Sequence, residues 1–535
     1  MHLDSVSPIT RENMLTKQYI IYSPVKYTNS KMYDDAGNGL VTSETFSDYY
    51  TGSLKGNDTC SHGELKSFLF SDKGNLGSEG TGSYNYKTSI EYVHTLFSDW
   101  YVYGLPSHVT VTGFKRQKYR ETRAVWDIVQ KDKPIYYPTF KILSIKQYLS
   151  DNNSDTTSCF FAYDRWGNLT DKYLPANANG QRMSYKIEYD PKYHTFPVKV
   201  TNAFGYSSIL DSYNFKYGVP CKTIDENGNV MLTKLDNLGR VTSITGPNEY
   251  DVNNNNAYTL KFDYHPQITK SGSAITAPAY ATTKHYDPAN TDNTIETVTF
   301  VDGFGRAVQV KKDGVIGTDK VMIVSGRAKY DAFGRVKAAY YPIAETDAGK
   351  KYLFNAAFDS TLSHLPSTRT AYDVVDRPLI TRLPDGTATQ MSYAIDKGLL
   401  KTTVTDALNH SQESFANGSG QTVKTVQHLG NDTIVTSFYY DDINQLDSVV
   451  DAMKKKTVSV YDMAGRRTQV THPASGVTKF EYDAASNLLS KQTANMLKGG
   501  GSKKIQYYYT YHRLDSICYP DHKENNVKYV YGTKD

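Results

Sequence analysis

Tyr330-Asp331-Ala332-Phe333-Gly334-Arg335-Val336-Lys337-Ala338-Ala339-Tyr340 decides the fold of this chain. Asp-x-x-Gly fits a type I β-turn with Asp first and Gly fourth. A type I turn closed by a left-handed Gly is a common hairpin connection with a bulge. The Asp carboxylate can accept hydrogen bonds from the turn's own backbone. Tyr330 then ends one strand and Arg335-Val336 begins the next. Past the turn the residues alternate, with Val336, Ala338 and Tyr340 on one face and Lys337 and Ala339 on the other.

The pattern recurs along the chain. Tyr163-Asp164-Arg165-Trp166-Gly167-Asn168-Leu169 is a full copy, and Tyr461-Asp462-Met463-Ala464-Gly465-Arg466-Arg467 differs only at its last position. Leu235-Asp236-Asn237-Leu238-Gly239-Arg240-Val241 and Val301-Asp302-Gly303-Phe304-Gly305-Arg306-Ala307 replace the Tyr. Tyr372-Asp373-Val374-Val375-Asp376-Arg377-Pro378 and Tyr482-Asp483-Ala484-Ala485-Ser486-Asn487-Leu488 replace the Gly. Tyr440-Asp441 opens another copy, and Tyr508 to Leu514 is a degenerate one. Tyr440 to Tyr461 and Tyr461 to Tyr482 are each 21 residues, and Tyr330 to Tyr372 is 42, or two units. Two strands of about six residues and two turns fill such a unit. Each unit is therefore one hairpin, which needs stacked neighbours to be stable. Leu383-Pro384-Asp385-Gly386, Tyr519-Pro520-Asp521-His522, Asp225-Glu226-Asn227-Gly228 and Asp406-Ala407-Leu408-Asn409 read as the second corner of the hairpins. Arg240, Arg306, Arg335 and Arg466 are expected either to pair with an Asp of a neighbouring unit or to stack on Tyr.

Composition agrees with sheets that are wet on at least one face. Of 535 residues, 45 are Tyr against 20 Phe and 3 Trp, and a Tyr ring packs while its hydroxyl stays solvated. The net charge of +4 is spread along the chain, and the densest basic run is only Lys454-Lys455-Lys456, so no nucleic-acid stripe is expected. The start, Met1 to Thr16, lacks the apolar stretch of a signal peptide, and no run is long and apolar enough for a membrane span.

Residues 1–160 carry no clear copies and read as a divergent β region adjoining or belonging to the array of 161–535. Gln18 to Tyr22 and His108 to Thr112 are strand-like, and Gly74 to Tyr86 and Lys498 to Lys504 read as loops. Arg120 to Gln130 is the best helix candidate and Ser490 to Met496 a weaker one.

Chemistry-bearing constellations are absent from this reading. Cys60, Cys159, Cys221 and Cys518 form no C-x-x-C pair, and His62, His94, His108 and His194 are scattered, so no metal site is expected. Cys60-Ser61-His62 reads as a loop, not a nucleophile, and Gly499-Gly500-Gly501-Ser502-Lys503 lacks phosphate-loop spacing. Asn57-Asp58-Thr59 and Asn431-Asp432-Thr433 match glycosylation sequons by pattern alone. The repeated Asp residues are explained by turns. No catalytic residue, cofactor or metal is assigned.

These motifs resemble the RHS/YD-repeat family, well over 160–535. Phe300 to Gln309 is similar to the region of Tc-toxin B subunits where the repeats become regular. The resemblance implies an all-β fold: tandem YD-repeat hairpins in a long spiralling sheet, part of a hollow RHS-type shell. It also implies a structural, non-enzymatic role in enclosing or delivering a C-terminal toxin or effector, with a downstream core, toxin segment or capping chain as partner. Secretion or surface display would follow. The core-associated domain of the toxin forms has no counterpart here, and Tyr529-Val530-Tyr531-Gly532 reads as the opening of a further repeat, so a fragment is expected. The alternative is a cell-surface repeat module binding glycans or a partner cell through its aromatic sheet.

Overall fold

A computed structural model describes residues 25–49 except 35, 65–72, 76, 81–97, 100–128, 139–346 except 153, 255, 272–273 and 290–293, 350–355, 365–498 except 431, and 501–532. Among them nearly every element is an antiparallel strand paired with its sequence neighbour. Twenty-one strands, from Tyr27–Tyr33 to Ile343–Glu345, form one sheet. Seventeen, from Ala328–Tyr330 to Val527–Lys528, form a second. Because each strand returns beside the last, alternate turns fall on opposite edges of the sheet.

The chain passes between sheets at 325–345. Strand Asp319–Ser325 ends the main run of the first sheet, hairpin Ala328–Tyr330 with Val336–Tyr340 opens the second, and Ile343–Glu345 returns to pair with Met322 to Val324. A small core of Val324, Ala338 and Tyr340, flanked by Ile343 and Leu365, marks the crossing. Next to it, residues 350–355 cross strands Ile295–Val301 and Ala307–Ile316. Asn355 exchanges backbone bonds with the Gln309 amide, and Tyr352 donates to Glu296 at 2.9 Å. Lys311, almost fully buried, meets Glu345 at 2.6 Å and the Lys350 carbonyl at 2.9 Å. Phe300 packs beneath Phe354. Elsewhere most strand positions are only half-buried on both faces, as a single-layer sheet requires.

Several expectations need correcting. Arg120 to Trp126 lies in strand Lys118–Trp126, not a helix. Strands Trp100–Gly113 and Ile142–Tyr148 flank it and take its backbone bonds. The Ser490 to Met496 helix shrinks to Ala494–Lys498, because Ser490 to Gln492 complete strand Leu488–Gln492. Tyr86 begins a strand instead of ending a loop. The upstream region does carry a copy: Tyr33-Asp34-Asp35-Ala36-Gly37-Asn38 closes the hairpin of Tyr27–Tyr33 and Gly39–Tyr49. Gln18 to Tyr22, Cys60-Ser61-His62, the Asn57 sequon, Asn431, Gly499 and Gly500 lie outside the described residues.

Candidate functional site

The turn is built the same way at each copy. At Asp331, Oδ1 accepts the N–H groups of Phe333 (2.9 Å) and Arg335 (3.0 Å), and Oδ2 accepts Arg335 Nε at 2.6 Å. Asp236, Asp302, Asp373 and Asp462 repeat this with Arg240, Arg306, Arg377 and Arg466. At Asp164 and Asp483 an Asn amide replaces the guanidinium. Gly167, Gly239, Gly305, Gly334 and Gly465 take φ of +75° to +86°. Asp376 and Ser486 occupy that conformation at φ +67°, so the turn imposes the left-handed residue even where Gly is missing. A bulge precedes each Asp, as between Lys329 and Tyr330.

Burial works against ionisation of Asp331, but the Arg335 backbone N–H and guanidinium outweigh it and keep the carboxyl below its ordinary range. For Asp190, the N–H groups of Phe196, Tyr193, Thr195 and Lys192 overcome burial and hold it at about 2.

Neighbouring turns are latched together. Tyr330, Tyr372, Tyr461 and Tyr482 each donate to the carbonyl of the residue that ends the preceding motif: Ala307 (3.4 Å), Val336 (3.0 Å), Leu446 (2.9 Å) and Arg467 (3.1 Å). Tyr163 reaches back in the same way to Ile142. Arg306, Arg335 and Arg466 lie over the rings of Tyr330, Tyr372 and Tyr482 at 3.9–5.0 Å. Arg335 and Arg466 also donate to the next Asp carbonyl, Asp373 and Asp483, at 2.6 Å. The principal ion pair is thus within the unit, while the Tyr stack is between units. Arg335 alone of these adds a carboxylate of the next unit, Asp376, at 2.9 Å.

The two sheets meet along their edges, turn against turn. Asp34 Oδ2 accepts the Ile395 N–H (2.9 Å), Ser419 donates to Asp72 (2.8 Å), and Gln117 to Asp442 (2.9 Å). Arg120 donates to the Met463 carbonyl, Thr157 to Ala484, Asn177 to Tyr511, and Tyr206 to Gly532. Side-chain bonds of this kind join residues 305 to 361 apart, so one coil of the spiral takes about that much chain. Asn38 and then the Ile395 N–H hold the Asp34 carboxyl at about 2. Burial pushes Asp441 up and Arg120 down. Small residues let the turns approach: a Cβ at Gly418 would overlap the Val41 carbonyl oxygen. A cavity of about 730 Å³ lies in this seam between Leu40, Asp72, Lys397 and Asp441. Sequence reasoning missed the seam, because nothing local announces a partner one coil away.

Among the described residues no three His, Cys, Asp or Glu side chains are grouped to hold a metal ion, and no helix is long and apolar enough to cross a membrane. Cys159, Cys221 and Cys518 are free thiols.

Residues 461–495 match the RHS Repeat family, and residues 274–382 match a domain of unknown function, DUF6443, which spans the passage between sheets. By sequence, the stretch 461–495 is an RHS repeat. The fold of the chain is that of the TcdB2-TccC3 crystal structure, matched with a TM-score of 0.74 over 98% of this chain at 15% identity. The Tc holotoxin pore of Photorhabdus luminescens matches with a TM-score of 0.71 over 94% of this chain at 14% identity. TcdB2-TccC3 without its hypervariable C-terminal region gives 0.72, 98% and 14%. This chain spans about a third of those chains, between 32% and 34%. No curated protein matches it in sequence.

Proposed function

We propose that this chain is a wall segment of an RHS-type shell that helps enclose or deliver a C-terminal toxin or effector segment. A shell-like structural role accords with the repeats and the fold. The observation that carries the reading further is the seam: a single-layer sheet that docks on itself one coil later makes a continuous wall. In this reading residues 1–160 and 161–535 belong to one array, further toxin chains complete the shell, and the assembled particle is secreted. The latched turns at Asp164, Asp302, Asp331 and Asp462 set the wall's curvature and carry no chemistry.

The test is recovery of the native product from its source cells with an antibody against residues 300–500. The reading expects a particle well above 60.1 kDa that holds a protease-protected segment. A 60.1 kDa chain recovered alone would overturn it.

A further inference from the structure

The same turn position is filled differently inside and outside the seam. Within it the turn tips of the second sheet are small or covered: Gly418, Ser419, Ala464, Ala484 and Ala485, with Met463 only 7% exposed. On the edge continuous with the seam, before it begins at Ile395, the tips are large and bare. Phe304 is 86% exposed, Phe333 82% and Val374 94%, with Leu238 behind them. The latches from Arg306 to Tyr330 and from Arg335 to Tyr372 place these turns side by side. Two strands per unit set neighbouring tips about 10 Å apart, which makes a row. The opposite edge of the second sheet shows a matching row. There the turns at Asp406 and Asp451 present Leu408 and Met453, 74% and 73% exposed, with Leu429 between them.

We infer that these two rows bind each other between copies of this chain, stacking a second copy head to tail on the first. The seam is the precedent: an edge of one type already seats on an edge of the other within the chain, and Met463 shows that an apolar tip is buried when they meet. The rows extend the same two edges beyond that contact, and both are apolar, so their exposure to water is relieved by contact. The interface is heterologous, one edge type against the other, and it leaves a free row at each end. Growth therefore does not stop at a dimer. The inference rests on the spiral fold, and enclosed cargo is no part of it.

Sedimentation velocity of the full chain tests this. The wild type should form species that grow beyond dimer with concentration. F304S/F333S/V374S on one edge and L408S/M453S on the other should each be monomeric, with affinity weakened about tenfold or more. Mixed in equal amounts they should form a dimer and nothing larger, because each supplies the row the other lacks. Unchanged hydrogen exchange at residues 395–421 would show that the variants keep the seam. A monomeric wild type overturns the inference. So does assembly that survives both sets of substitutions, or a mixture of folded variants that stays monomeric.

Discussion

Replacing Gly418 by Ala separates a docked seam from two independent sheets by the sign of the effect. Gly418 does not have a left-handed φ, so Ala fits its backbone. If the turn faced water, the substitution would stabilise the chain by about 0.4–1 kcal/mol, by restricting the unfolded state. In the docked seam the new methyl meets the Val41 carbonyl, and the Asp72 carbonyl lies 3.0 Å away. Backbone cannot swing aside as a side chain can. Overpacking costs about 1–3 kcal/mol. Parting the edges also loosens the 2.8 Å bond from Ser419 to Asp72, worth about 0.5–1.5 kcal/mol. Together these give a loss of about 1.5–4.5 kcal/mol. Gly420 in the same turn is the control: its φ is +77° and nothing lies within 4 Å of an added Cβ. Gly420→Ala should cost about 1–2 kcal/mol from the left-handed conformation alone, docked or not. Hydrogen exchange in peptides covering 39–46 and 411–425 reads both local opening energies, which a global melt of a repeat array would blur. Seam docking predicts that Gly418→Ala is the worse of the two and speeds exchange at both sites. A Gly418→Ala chain as stable as wild type, with only Gly420→Ala impaired, would refute the docking.

Other parts of the structure make separate commitments. Lys454 holds φ +63° in an exposed turn, so Lys454→Gly should stabilise by up to about 1 kcal/mol, seen as slower exchange at 448–458. Glu345→Ala strands the buried Lys311 ammonium and should cost about 3–5 kcal/mol, measured as faster local hydrogen exchange at 307–316 and 319–325. Tyr482→Phe removes the bond to the Arg467 carbonyl and should cost about 0.5–1.5 kcal/mol in local exchange, with the ring over Arg466 retained. Asp34 and Asp190 are depressed from 3.8 to about 2. Their contribution is present above about 4, and is lost as pH falls through about 2. Protection of the Ile395 amide, taken relative to its intrinsic exchange rate at each pH, should therefore fall in that acid window and stay level between pH 5 and 8, and Asp34→Asn should flatten the change.

The sequence made the hairpin repeat legible because its signal is local. Asp331 and Gly334 are read from four residues, and their turn geometry appears without help from distant chain. The same locality should have exposed Tyr33-Asp34 to Asn38, which lacks only the final aliphatic residue of the motif and was obscured by the divergent strands around it. Arg120 to Trp126 misled because its charged and apolar residues fit a helical face about as well as alternation, and the flanking strands decided. Arg335 was legible as a linker, but not that its own Asp331 would take Nε while the next unit took its ring contact. The seam was least legible. Gly418 and Ala484 look like ordinary turn residues, and their partners near Val41 and Thr157 lie more than 300 residues away.

The most direct test of the account is a distance across one coil. Spin labels at Asn179 and Tyr508, both on the surface at the seam where Asn179 reaches the Tyr509 carbonyl, can be read by double electron–electron resonance in the full chain. The account predicts a single narrow distribution at the short end of the accessible range, in samples dilute enough to exclude contacts between copies. A broad or long distribution would mean that the two sheets do not coil upon each other, and the shell reading would fall with the seam.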